Sequence, residues 1–169
     1  MEKEIINKVA NSVLEVFDLE DYFPKQQIHS IDVSQWLVEG FILKEKDFRE
    51  SLKNYDWLQY KDTYVSIYCS TDAILPAWTF ALVSVYLQPH ALKVVSGNKK
   101  DLLLNLYQET LNQIDFSIYD KKPVILKGCS NKPVPQEAYV LAIQKIMPYA
   151  KSVMFGEACS AVPLFKSVK

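Results

Sequence analysis

The sequence predicts an α/β fold: a three-layer sandwich around a mostly parallel sheet, with an N-terminal helix and edge strands added to it. Three observations carry this. From Lys61 onward, short apolar runs alternate with segments of helical period, the pattern of strands joined by crossover helices. The strand-like runs, such as Tyr64-Val65-Ser66-Ile67-Tyr68 and Val124-Ile125-Leu126, are nearly continuous in apolar character, as strands covered on both faces are. Prolines stand where helices should start or stop, at Pro76, Pro89, Pro135 and Pro148.

Taken in order, Glu2 to Ala10 suits a short helix with Ile5, Ile6 and Val9 on one face. Val13 to Leu19 reads as an edge strand, ending in the acidic Asp18, Glu20 and Asp21, a solvated turn before Pro24. Ile28 to Val33 is a second short strand, after which Asp32 or Ser34 caps a helical turn carrying Trp36 and Leu37. Lys44 to Tyr55 is an amphipathic helix with Phe48 and Leu52 inward. Strands follow at Thr63–Tyr68, Leu92–Ser96, Val124–Lys127 and Ser152–Phe155. Helices lie between them: Pro76–Leu87, Asp101–Ile114 and Pro135–Met147. Pro163–Lys169 reads as a short tail. The expectation is one domain over 1–169, with 1–60 as the elaboration and 61–169 as the parallel core.

An apolar fraction of 49% is ample for a core. A formal net charge of −1, with no lysine or arginine block, argues against nucleic acid and against anionic membrane surfaces as partners. No apolar run approaches a membrane span, and Met1-Glu2-Lys3-Glu4 lacks the basic start and apolar middle of a signal peptide. The reading is a cytoplasmic protein whose cysteines are reduced thiols.

The chemistry concentrates at the three cysteines. Cys69, Cys129 and Cys159 each follow a predicted strand, and each is followed by a serine: Ser70, Ser130 and Ser160. In a parallel sheet these positions share the carboxyl edge, where ligand sites gather. Three thiols on one edge suggest a thiolate site for zinc or an iron–sulfur cluster. Glu157, Asp72, a water or a partner protein would complete it. Lys127, Lys132 and Lys166 would favour thiolate over thiol, and the three serines would hydrogen-bond sulfur or a bound anion.

Other readings stand beside this one. Free cysteines also fill small apolar gaps near strand ends, which would make the protein a non-catalytic binding module with structural cysteines, and one cysteine as the nucleophile of a thiol enzyme or as a sulfur carrier is a third possibility. There is no CxxC pair. A cysteine–histidine pair is disfavoured because His90, between a helix and the next strand, belongs to the opposite sheet edge. Asp72 also reads as a helix cap, and Glu157 as a solvated loop carboxylate. The four glycines form no GxGxxG or Walker pattern, so nucleotide binding finds no motif here.

Four stretches resemble a known family: Val16 to Tyr22; Leu43 to Arg49; Lys127-Gly128-Cys129-Ser130 with Pro133-Val134-Pro135; and Gly156 to Ser160 with Val162-Pro163-Leu164. Together they resemble the bacterial domain-of-unknown-function family 2480, over essentially the whole chain. The resemblance transfers no activity. It implies an association with gene neighbourhoods for iron–sulfur cluster assembly, and so an accessory role in metal or cluster handling with a protein partner.

Overall fold

The computed structural model describes residues 14–128, 131–157 and 160–168. The helix expected over Glu2–Ala10 lies outside these residues. The chain divides into two compact units: Pro24–Leu106, and Met1–Phe23 with Tyr107–Lys169. This division cuts across the boundary expected at residue 60.

The first strand, β1 (Glu15–Phe17), is followed by a one-turn 3-10 helix at Leu19–Tyr22, and β2 (Ile28–Asp32) by another at Val33–Trp36. Then come α1 (Glu45–Asn54), β3 (Tyr64–Tyr68), α2 (Trp78–Leu87), β4 (Lys93–Ser96) and α3 (Lys99–Gln113). β5 (Pro123–Leu126), α4 (Gln136–Ile146), β6 (Ser152–Glu157) and β7 (Ser160–Lys166) complete the order.

The α/β class and the parallel pairing are as expected, but there are two sheets where the sequence suggested one. One sheet has the order β2-β3-β4, all parallel. The other has the order β1-β5-β6-β7, with β1, β5 and β6 parallel and β7 antiparallel to β6. An apolar run specifies a buried strand but not its partner, so periodicity cannot tell one sheet from two. The predicted tail is β7. It carries Pro163 inside the strand, which an edge tolerates because no outer neighbour needs its missing N–H.

Each unit has its own apolar core. In the three-stranded unit, Phe48 and Leu52 of α1 lie one helical turn apart and pack with Val65, Ile67, Val83 and Leu87, all fully buried. The acidic first turn of α1 and Lys53 near its end match the helix dipole. In the four-stranded unit, Tyr107 and Leu111 pack with Phe17, Val124, Leu126, Ala142 and Ile146. Full burial of each large apolar side chain contributes about 1.5–3 kcal/mol.

The two units repeat one design at a constant spacing of 59 residues. Asp56 and Asp115 each accept the N–H two residues on, at 3.1 and 3.0 Å. Trp57 and Phe116 are buried, as are Tyr60 and Tyr119. Asp62 and Lys121 are both left-handed, at φ 59° and 57°. Pro76 matches Pro135, and Pro89 matches Pro148. Gly97 and Gly156 share φ of 134° and 127°. The strand registers coincide as well, Val65 facing Val94 and Val124 facing Val153. Residues 104–113 of α3 thus stand for α1, and β5-α4-β6 for β3-α2-β4.

The first strands are related at a different spacing, 14 residues. Asp18 and Asp32 each cap the following 3-10 turn, accepting from Glu20 N and Ser34 N at 2.9 and 3.0 Å. Val16 faces Ile125 as Ser30 faces Ser66. The chain therefore lays down both first strands before completing either unit, and the three-stranded unit is inserted between Phe23 and Tyr107 of the other. β7 has no counterpart in the three-stranded unit.

Candidate functional site

The carboxyl edge of the four-stranded sheet gathers charge. β1 ends at Phe17, whose carbonyl accepts the Lys127 N–H at 2.9 Å, so Asp18 and Lys127 leave neighbouring strands side by side. The Asp18 carboxylate uses both oxygens: Oδ1 caps the 3-10 turn, and Oδ2 accepts from Lys127 Nζ at 2.6 Å. Glu20, on that turn, accepts the backbone N–H groups of Asn131 and Lys132. Lys132 Nζ donates to the Glu20 carbonyl at 3.0 Å. The hydrogen bond and charge of Asp18, with Glu157 and Glu20 behind it, hold the Lys127 ammonium above its ordinary value.

A cavity of about 500 Å³ opens beside these groups, lined by Gly128, Lys132, Gln136, Tyr139 and Phe155 among others. Phe155 packs edge-on to Tyr139, with ring centroids 5.4 Å apart. Gly128 is required by that packing, because a Cβ there would lie 2.6 Å from the Phe155 ring.

The predicted site residues divide between the units. Cys69 follows β3 in the three-stranded unit, half-buried and packed against its core. Its Sγ lies 3.3 Å from Thr71 Oγ1, and that hydroxyl donates to the Gly40 carbonyl at 2.6 Å. Ser70 is exposed; its N–H donates to Asp32 Oδ1 at 3.0 Å and its hydroxyl lies 3.2 Å from that of Ser34. Burial would raise the Asp32 carboxyl, but the hydrogen bonds from Ser70 and Ser34 outweigh it and hold the group below the carboxylate range.

Asp72 is exposed in the loop before α2. It does not cap that helix, whose cap position is Ala77 with no side-chain hydrogen bond. Glu157 ends β6, half-buried, and faces the exposed Ser160 across the β6–β7 pair. Cys129, Ser130 and Cys159 lie outside the described residues. Lys166 faces Ser152 at the start of β6, so it stands at the amino edge of the sheet and not beside the predicted thiols. His90 also lies at an amino edge, between α2 and β4. Among the described residues, no three His, Cys, Asp or Glu side chains converge as a metal site.

The acidic turn read as solvated is instead tied into the edge: Asp18 and Glu20 hold Lys127 and Lys132. The signal that finds them is the internal repeat. At the matching positions the three-stranded unit has Ser34 for Glu20, Tyr68 for Lys127, Ala73 for Lys132 and Asn98 for Glu157. One framework thus carries paired acids and lysines at its edge in one copy and lacks the lysines in the other. Only Asp18 and Asp32 keep the same acid, because each caps a turn.

No helix among the described residues is long and apolar enough to cross a membrane. Neither a curated protein nor a solved structure matches the chain. The model of a family described as a protein of unknown function, DUF2480, matches residues 3–167 of the 169, and the chain belongs to that family.

Proposed function

We propose that the protein is an accessory metal- or cluster-binding protein of the cytoplasm, whose site lies at the charged carboxyl edge of the four-stranded sheet. Cys129 and Cys159 supply thiolates to zinc or an iron–sulfur cluster, and Glu157 is the neighbouring carboxylate. The observation that carries this reading is strand adjacency. β5 and β6 are parallel neighbours with Leu126 opposite Phe155, and the two cysteines follow those residues in the chain after three and four positions. Lys127 and Lys132 favour thiolate over thiol. Cys69, in the other unit and packed on its core, has a filling role. The role is the holding or passing of metal or cluster for a protein partner, without nucleic acid.

Anaerobic purification with metal and sulfide analysis tests this. Cys129→Ser and Cys159→Ser should each lower bound metal by about tenfold or more, as loss of a ligand does, while Cys69→Ser retains it. A wild-type protein that carries no metal and cannot be reconstituted with zinc, or with iron and sulfide, overturns the proposal. Loss of metal in Cys69→Ser as well would overturn the assignment of the site to Cys129 and Cys159.

A further inference from the structure

A second cavity, of about 660 Å³, lies at the amino edge of the same sheet, opposite the edge that carries Asp18 and Lys127, and is lined by Lys121, Lys151, Lys166, Asp120, Tyr149 and Phe165 among others. Its size suits a small organic ligand. Its lining holds three lysines and a single carboxylate. Asp120 reaches only Lys121, at 3.9 Å and in the open, where such a pair contributes little. Lys151 and Lys166 have no ion pair or side-chain hydrogen bond among the described residues. A concave surface with an excess of one sign of charge focuses its field and concentrates the opposite ion. Tyr149 and Phe165 add apolar area beside the charge.

The repeat supplies an internal control. At the matching positions the three-stranded unit has Asp62 for Lys121, Leu92 for Lys151 and His90 for Tyr149. The backbone is the same in both: the N–H of Asp62 donates to the His90 carbonyl at 3.0 Å, and that of Lys121 to the Tyr149 carbonyl at 2.9 Å. The fold therefore needs neither lysine. Lys121 is moreover left-handed, a conformation that suits aspartate better than lysine. The remaining wall, Phe165 and Lys166, belongs to β7, the strand found in only one unit.

We propose that this cavity binds a small phosphorylated organic molecule, with Lys121, Lys151 and Lys166 on its phosphate and Tyr149 and Phe165 against its apolar body. Lysine serves phosphate as a point charge and needs no bidentate geometry. The site is separate from the cysteine edge and independent of the metal reading.

Calorimetric titration of the full chain with AMP, adenosine and citrate at low salt tests it. AMP should bind saturably, and adenosine, lacking the charge, at least about tenfold more weakly, a difference of one charged contact; citrate, which has charge but no apolar body for Tyr149 and Phe165, should also bind at least about tenfold more weakly. Lys121→Asp and Lys151→Leu introduce residues the same backbone already holds elsewhere, so both should fold, as circular dichroism will check. Each should weaken AMP by about tenfold or more, while Lys151→Arg stays within a few-fold of wild type. Absence of saturable AMP binding, affinity unchanged in both variants, or adenosine or citrate binding as tightly as AMP would each overturn the proposal.

Discussion

Asp62 and Lys121 occupy the same left-handed turn in the two units, each sending its N–H to the carbonyl of the residue 28 positions on, His90 and Tyr149. The backbone geometry is common; the side chains are opposite in charge. Aspartate tolerates this conformation and lysine less so. Lys121→Asn should therefore stabilise the protein by about 0.5–1 kcal/mol, seen as a higher urea midpoint at unchanged slope. Lost anion binding in the same variant would show stability given up for function.

Asp32 fixes the corner where β2 meets its 3-10 turn, accepting from Ser34 N and Ser70 N at 3.0 Å each. Asp32→Ala should cost about 1–2 kcal/mol through the lost cap and the lost hydrogen bond from Ser70 N. The pH dependence has a definite sign. Because the folded-state pKa lies below the ordinary 3.8, the contribution is complete above that value and is lost as pH falls through the depressed one. Asp32→Asn should flatten the acid limb of a stability profile below about pH 4. An acid limb identical to wild type would count against this account.

Gly156, next to the last residue of β6, has φ 127°, and a Cβ there would sit 2.6 Å from the Ser160 carbonyl oxygen. Gly97, its counterpart at φ 134°, would meet the Asp101 side chain at 2.5 Å. Both alanine variants should be destabilised by about 1–3 kcal/mol. Gly156→Ala should be the worse, because a backbone carbonyl cannot swing aside as a carboxylate can. Thermal melts of the two variants side by side give the comparison.

Tyr107 is fully buried, and its hydroxyl donates to the Leu19 carbonyl at 2.9 Å. Burial, then the nearby Tyr139, Asp18 and Glu20, push its phenol above the ordinary value, so it stays a donor at any working pH. The matching residue in the other unit is Phe48, also fully buried, so a phenyl ring fits this frame. Tyr107→Phe should cost only the hydrogen bond, about 0.5–1.5 kcal/mol. A chemical-denaturation loss well above that range would mean the hydroxyl holds more than one turn in place.

Much of the local structure was legible because its causes are local. The Phe48 and Leu52 stripe with charged neighbours marks α1, and Asp32 caps the turn after β2 as its position suggests. The prolines at 76, 89, 135 and 148 lie close to helix ends. β7 escaped because Pro163 argues against a strand until an edge position excuses it. The repeat escaped because its signature at spacing 59 is sparse: an aspartate, two aromatics, two prolines, a glycine and a few aliphatic residues amid diverged ones.

The sequence alone determined an alternating α/β chain, the place of most strands and helices, and cysteines that follow strands. The tertiary structure decided which strands pair. β1 joins β5 across a separation of 109 residues, Val16 facing Ile125, while β2 joins β3 in a second sheet. The physical reason is that periodicity records only which face of an element is buried, whereas pairing depends on long-range contacts that many apolar runs satisfy alike. Those contacts put Cys69 in one unit and Glu157 in the other, and they draw Asp18 to Lys127 and Lys121, Lys151 and Lys166 around one cavity.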